Sequence, residues 1–364
     1  MRVLLLGAGK IGCTIIDLLR LTGDYKVTVG EREDSVLAAL ADKGVPCLHV
    51  NVTDGEALSR ALHNQDIVIN ALPHQAVAPV AVAAVKHGVH YFDLTEDVAT
   101  TRLVKDMAAT AKTALMPQCG LAPGFISIAT HNLISHFDTV RDVQMRVGAL
   151  PVYPTNALKY NLTWSTDGLI NEYCMPCECI MNGLPDEVLP LEGYETISID
   201  GVEYECFNTS GGIGTMCETL AGKIENLNYK TLRYIGHCEI MRLLVNELGL
   251  GKRRDLLKDV LETAIPSTLQ DEVLIFISAK GKKNNRLLQE NFVRKIYGTE
   301  IAGIPRSAIQ VTTAAGICGV VDLFASGRLQ KSGFIRQEQV NLQDFLGNRF
   351  GRYYTDPAQG GKHS

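Results

Sequence analysis

Arg2-Val3-Leu4-Leu5-Leu6-Gly7-Ala8-Gly9-Lys10-Ile11-Gly12 opens with five strand-like residues that run straight into a G-x-G-x-x-G turn. Apolar residues then recur at Ile11, Ile15, Ile16, Leu18 and Leu19, a helical period. The glycine string alone is common. Between a strand and a helix, with an acidic residue closing the next strand, it points to a dinucleotide. Gly7 allows the tight turn, Gly9 lets a pyrophosphate approach the backbone, and Gly12 lets helix and sheet pack closely. Lys10 and Ile11 lie at the helix N-terminus, where free N–H groups and the positive dipole end receive phosphate. Glu31 ends the second strand, 19 residues past Gly12. A carboxylate there accepts hydrogen bonds from both ribose hydroxyls and repels a 2′-phosphate, so NAD is expected over NADP. Arg32 beside it works the other way, because a guanidinium can pair with that phosphate.

Outward from this turn, short apolar runs alternate with amphipathic stretches. Strands are expected at 26–31, 47–52, 67–72, 90–94 and 114–117, and helices at 35–43, 55–62, 77–87 and 98–112. The run 67–72 is apolar nearly throughout, as a central parallel strand buried on both faces is. The alternation means an α/β fold with a doubly wound parallel sheet, a Rossmann domain. Asp54, after the third strand, is placed to edge the adenine; Asn70, Ala71 and Leu72 close the fourth, where a dinucleotide lies across the sheet. For Asp54 and Asn70, capping of a loop is an equal alternative.

The chain has 364 residues, which at about 150 per domain suggests two domains. Lys and Arg number 35 against 40 Asp and Glu, a formal charge of −5 with no long run of either sign. That excludes the concentrated basic surface of a nucleic-acid binder. No apolar stretch is read as reaching the roughly 18 residues of a membrane span. The start, broken early by Gly7, does not read as a signal peptide, so a cytoplasmic protein is expected. The ten cysteines are spread thinly and read as reduced thiols. Cys174, Cys177 and Cys179 cluster, but no second pair at zinc-ligand spacing follows, and no metal is expected.

Cys119-Gly120-Leu121-Ala122-Pro123-Gly124-Phe125 follows the sixth strand. Further on stand Lys159-Tyr160-Asn161, Trp164-Ser165, Gly168-Leu169-Ile170-Asn171-Glu172-Tyr173, Asn208-Thr209-Ser210-Gly211-Gly212 and Lys230-Thr231-Leu232-Arg233-Tyr234-Ile235-Gly236-His237-Cys238-Glu239. With these elements the chain resembles the saccharopine dehydrogenase/reductase-like family over roughly residues 1–325, most of all its lysine 6-dehydrogenase branch. The resemblance implies NAD-dependent oxidative deamination of the ε-amine of L-lysine to 2-aminoadipate 6-semialdehyde. The stretch 327–335, with Glu338 after it, looks more like the tail of the saccharopine-type enzymes. A saccharopine- or carboxynorspermidine-type enzyme acting on a secondary amine is therefore the alternative. A dinucleotide-binding sensor without chemistry is an alternative of another class.

An amino-acid amine sets chemical demands. Its carboxylate needs a cation, preferably a guanidinium, and Arg233 sits in an apolar-aromatic run where an unpaired charge is costly. Thr209, Ser210 and Gly211 form a hydroxyl- and amide-rich loop suited to the same carboxylate. Its ammonium must lose a proton before hydride leaves, which calls for a base. His237, four residues past Arg233, is the first choice because that spacing shares a face on helix or strand alike. Asp93 and Glu96, at the carboxyl end of the fifth strand, face the ligand crevice and are candidates for the ammonium groups. Tyr160 and Lys159 are further candidates, and Lys159 and Lys230 are the cations available for a second carboxylate. Antiparallel strands at 143–147, 198–207, 273–279 and 292–297 and helices at 242–248 and 254–261 suggest an α+β substrate domain over 122–304, which is expected to pair as a homodimer. A small-residue helix at 308–325 returns the chain to the first domain, 1–121 with 305–364. The stretch 357–364 is expected to be unstructured.

Overall fold

A computed structural model describes residues 1–355; the expectation for 357–364 falls outside the described residues. The chain forms two compact units. The first comprises Met1–Phe125, Glu300–Ile304 and Val311–Tyr353. In it β1 (Arg2–Leu6), α1 (Lys10–Leu21), β2 (Lys26–Glu31), α2 (Asp34–Asp42), β3 (Cys47–His49), α3 (Gly55–Leu62), β4 (Ile67–Asn70), α4 (Val77–His87), β5 (His90–Asp93), α5 (Val98–Ala108) and β6 (Ala114–Met116) follow one another. The strands are parallel in the order β3-β2-β1-β4-β5-β6, that of a doubly wound dinucleotide-binding sheet. Every residue of β4 is buried, because the sheet is covered on both faces. Two strands stop earlier than their apolar runs. Asn51 and Asn70 each accept a backbone N–H two residues on, from Thr53 and Leu72, which folds the chain out of the ladder.

α6 (Phe125–Ile134) leads into the second unit, Ile126–Thr299 with Pro305–Gln310 and Tyr354 and Thr355. Here follow β7 (Thr139–Pro151), α7 (Thr166–Cys174), β8 (Cys177–Met181), β9 (Leu184–Val188), β10 (Glu195–Ile199), β11 (Val202–Asn208), α8 (Met216–Leu220), β12 (Asn226–Tyr234), α9 (His237–Arg242), α10 (Arg254–Ala264), β13 (Asp271–Lys283) and β14 (Arg286–Tyr297). The sheet runs β10-β11-β12-β7-β13-β14, with the β8–β9 hairpin attached at β12. Instead of one strand at 198–207 there is a hairpin. Asp200 and Gly201 take φ of 53° and 79°, the paired left-handed residues of a tight turn. Asn284 and Asn285, at 49° and 58°, join β13 to β14 in the same way. The sheet is mixed, since β12 runs parallel to β7; periodicity within a strand does not report the direction of its neighbour. The helix expected at 242–248 begins at His237, and its second half is wound as a π-helical turn, Leu243–Glu247.

The return begins with β15 (Thr299–Ile301), β16 (Ile304–Arg306) and α11 (Ala308–Ala325). β17 (Gly333–Phe334) then adds to β6, and α12 (Leu342–Leu346) follows. Contrary to the reading of the sequence, α11 is long and apolar enough to cross a membrane, but most of it is buried inside the fold. Ala314, Ala315, Cys318, Val321 and Phe324 along it have no exposed surface. Its start is held from two sides. Ser307 and Gln310 form a capping box, each side chain taking the other's backbone N–H, and the buried Asp271 carboxylate accepts the N–H groups of Ala308 and Ile309. Asp271→Ala leaves these two donors unpaired and should cost about 1–2 kcal/mol, read as a lowered urea midpoint with unchanged slope.

Candidate functional site

In the first unit the candidate site is the carboxyl edge of the parallel sheet. Each glycine of the turn has its own steric reason. Gly7 takes φ of 94°, and a Cβ there would lie 2.9 Å from the Leu72 side chain. A Cβ on Gly12 would stand 2.1 Å from the Gly7 carbonyl oxygen. Beside Gly9 there is nothing within 4 Å, so that face of the backbone is open to a phosphate. Lys10 and Ile11 begin α1, and no side chain caps its N-terminus. Glu31 turns back on the loop: Oε2 accepts the Ala8 N–H at 2.9 Å and Oε1 the Arg32 N–H at 2.7 Å. The carboxylate is thus fixed beside the turn, as a ribose-binding acid is. Arg32 points its guanidinium at Glu33, 3.1 Å away, and is exposed. Asp54 caps α3 by accepting the Glu56 and Ala57 N–H groups. Asn70, buried, receives the Leu72 N–H and donates to Tyr91, so it shapes the turn through Ala71 and Leu72.

Three acids stand at the end of β5. Asp93 is fully buried and accepts the Tyr91 hydroxyl at 2.7 Å and the Thr95 and Gln118 N–H groups at 2.9 Å. Burial outweighs these bonds and raises its carboxyl to about 6. Asp97 caps α5 through the Thr100 N–H at 2.7 Å. Glu96, half-buried between them, is pushed up to about 7 by burial and by the charges of Asp97 and Asp93. Cys119 follows, its N–H bonded to the Asp93 carbonyl and its thiol raised by burial.

The second unit holds a polar cluster of its own, built around Arg233, 3% exposed on β12. Nε donates to the Tyr173 hydroxyl at 3.1 Å, and Nη1 donates to Thr231 Oγ1 at 2.6 Å and to the Leu232 carbonyl at 2.8 Å. The guanidinium carbon lies 4.9 Å from the centre of the Tyr160 ring, whose hydroxyl accepts the Trp164 indole N–H. Burial penalises the charge, and Tyr173, Tyr160 and Glu172 around it more than offset that, so Arg233 stays protonated. Nη2 makes no hydrogen bond to a described residue. Near in sequence to these contacts, the buried oxygens Asn161 Oδ1 and Thr209 Oγ1 have no hydrogen-bond partner among the described residues. Ser210 is already spent, its N–H on the Glu172 carbonyl and its hydroxyl on Pro176. Gly211 takes φ of 86°, and Gly212 lies flat on the Tyr229 ring, where a Cβ would fall 2.2 Å from Cζ.

His237 does not share an element with Arg233. β12 ends at Tyr234, Gly236 takes φ of 101°, and His237 opens α9. Tyr173, from α7, joins the two: its hydroxyl meets His237 Nε2 at 2.9 Å. Nδ1 lies 2.9 Å from the Leu158 carbonyl, so it carries the proton and Nε2 accepts from Tyr173. Burial first, and the Arg233 charge next, push the imidazole down to about 3. It is neutral and has both nitrogens engaged, which makes it a brace for Tyr173 and not the base its spacing suggested. Lys159 is exposed and donates to the Ile235 carbonyl at 3.0 Å. Lys230, three residues before Arg233 on one strand, points to the opposite face of the sheet and pairs with Glu195 at 2.9 Å.

The cysteine cluster lies apart from this chemistry. Cys177 and Cys179 are buried on β8, and burial pushes the Cys177 thiol to about 12. Among the described residues no group of side chains has the arrangement of a metal site. Tyr173, Trp164 and Thr231 are the site residues that sequence reasoning missed. They stood within the quoted motifs, but no spacing tied them to Arg233, because the link runs between a helix and a strand distant in sequence. Two predictions follow from this geometry. Gly9→Ala should keep the thermal midpoint yet lose dinucleotide affinity, whereas Gly12→Ala should lose both, as calorimetry and fluorescence titration would report. Tyr173→Phe strands Arg233 Nε and His237 Nε2 and should destabilise by about 1–3 kcal/mol in chemical denaturation.

Comparison with known proteins matches both halves. Residues 3–116 match the model of the saccharopine dehydrogenase NADP binding domain, and residues 120–349 that of the saccharopine dehydrogenase C-terminal domain. Mitochondrial alpha-aminoadipic semialdehyde synthase of Bos taurus is 23% identical over 319 residues, 82% of this chain and 33% of that protein. The NADP(+), L-glutamate-forming saccharopine dehydrogenase of Schizosaccharomyces pombe is 24% identical over 257 residues, 67% and 57% of the two chains. The chain therefore spans about a third and just over half of these relatives. In fold it is similar to apo saccharopine dehydrogenase (L-Glu forming) of Saccharomyces cerevisiae, with a TM-score of 0.77 at 17% identity, covering 95% of this chain and 96% of that one. With both domain models matched in succession over nearly the whole sequence, the chain belongs to the saccharopine dehydrogenase family.

Proposed function

We propose that the chain is a nicotinamide-dinucleotide-dependent dehydrogenase of an amino-acid amine, and that its substrate is the ε-amine of L-lysine. The observation that carries this reading is Arg233: a buried, charged guanidinium whose Nη2 makes no hydrogen bond to a described residue. Nε and Nη1 are committed, so the fork is not free as a whole. A substrate carboxylate would take Nη2, with the Thr209 hydroxyl, unpaired among the described residues, as a second donor. A saccharopine-type secondary amine brings further carboxylates and needs further cations. Neither cation named for that purpose serves, since Lys159 holds the Ile235 carbonyl and Lys230 lies on the far face with Glu195. This favours a substrate with one carboxylate.

Bound at the glycine turn, the dinucleotide supplies a hydride acceptor. The residues that would hold it are Gly7, Gly9, Lys10, Ile11 and Gly12 for the phosphates and Glu31 for the adenosine ribose. NAD is the preferred form. Glu31 is held beside the loop with Oε1 taken by the Arg32 and Glu33 N–H groups and a lone pair left on Oε2, and a 2′-phosphate would meet its charge. The names of the relatives favour the other form, NADP, and with it the alternative substrate, saccharopine.

A spectrophotometric screen with each dinucleotide against lysine, ornithine, saccharopine and carboxynorspermidine decides between these. Reduced cofactor is expected with lysine and NAD; turnover with saccharopine alone would replace this reading by its alternative. In the same assay Arg233→Ala should raise KM for the amino acid, with dinucleotide affinity unchanged. Glu31→Ala should narrow the preference for NAD by about tenfold or more, equivalent to roughly 1.4 kcal/mol.

A further inference from the structure

The proposed oxidation needs a proton acceptor, and the imidazole assigned to it is a neutral, fully engaged brace. We infer that Glu96 is the catalytic residue that takes the proton from the substrate ammonium. The inference rests on the amine-dehydrogenase reading and concerns one step of it.

Its first support is place. Glu96 stands three residues beyond β5, at the carboxyl edge of a parallel sheet whose strand order puts β5 beside β4 and β4 beside β1. Ligands of such sheets sit outside this edge. Its second support is vacancy of partners. Asp93 is saturated by a hydroxyl and two backbone N–H groups, and Asp97 is committed to the start of α5. Glu96 alone of the three makes no hydrogen bond or ion pair with another described residue, apart from its own backbone N–H. A half-buried carboxylate with no cation and no donor but its own N–H is costly to keep, and at a ligand-binding edge such a group is a functional candidate.

The chemistry closes. The Glu96 carboxylate accepts one proton from R–CH2–NH3+, leaving R–CH2–NH2 and a carboxylic acid. The nitrogen lone pair then forms the C=N bond as the adjacent C–H bond gives its electron pair, as hydride, to the oxidised nicotinamide. Water adds to the resulting iminium, and the aldehyde and ammonium ion leave. The groups that face Glu96 electrostatically are Asp93 and Asp97, both acids, and both resist its ionisation. Its carboxyl is raised to about 7, close to working pH, where a base is most effective. Because the charged form is the active one, the rate should rise with pH through about 7.

The test is Glu96→Gln in the full chain, beside Glu96→Asp. With the amine that turns over best, kcat of Glu96→Gln should fall about a hundredfold to ten-thousandfold. The acid limb of the pH profile should vanish, while dinucleotide affinity in fluorescence titration stays within about twofold of the parent. Glu96→Asp should recover part of the rate and move the limb. Carbon-13 NMR of carboxyl-labelled protein should show one glutamate titrating near neutrality, lost in Glu96→Gln. An active parent whose Glu96→Gln variant keeps its rate and acid limb would overturn the inference. So would the absence of a glutamate that titrates near neutrality. A parent inactive on every amine would instead remove the reading on which it rests.

Discussion

There is no room for a side chain between Gly12 and the carbonyl of Gly7, and the architecture of the first unit depends on that contact. It lets α1 start directly against the end of β1, so the first N–H groups of the helix are left open at the edge of the sheet. With the turn drawn this tight, the Ala8 N–H comes within reach of Glu31 on the neighbouring strand. One steric constraint thus sets both the open start of α1 and the place of the Glu31 carboxylate. Asn70 works from the other side: by ending β4 early it carries Leu72 against Gly7 and closes the turn.

The second unit is organised around a different necessity, the support of a buried positive charge. Arg233 would be costly in its aromatic surroundings without the donors' partners that Tyr173, Thr231 and the Leu232 carbonyl supply. Those partners must themselves be held. Tyr173 leans on His237, His237 on the Leu158 carbonyl, and Tyr160 on Trp164. The result is a rigid set with one guanidinium nitrogen left over. That remainder has chemical meaning because the rest of the set is fully spent.

The two units offer different chemistry. The parallel sheet offers backbone N–H groups and carboxylates, which suit phosphates, ribose and an ammonium. The mixed sheet offers a cation, which suits a carboxylate. At the end of β5 burial raises Asp93, and burial with the charges of Asp97 and Asp93 raises Glu96, whereas the buried His237 is driven far below neutrality.

Much of this was legible without coordinates. Apolar strands and helical periods are local patterns, and so are glycines at three fixed offsets. They sufficed for the parallel sheet, the dinucleotide turn and the acid at the end of β2, and motif resemblance pointed to the family. Asp200-Gly201 was legible too, as a turn signal overlooked inside a strand-like run. What tertiary structure alone decided is which polar groups are already used. Spacing put His237 and Arg233 on one face. Yet it was Tyr173, sixty residues before Arg233, that joined them and took the lone pair a base would need. Lys230 looked as available as Arg233 until strand alternation turned it to the other side of the sheet. The sequence by itself determined the kinds of side chain present and the local elements that carry them. Whether a given charge or lone pair is free for a substrate is a balance of burial and hydrogen bonding among distant segments, and only the folded chain strikes it.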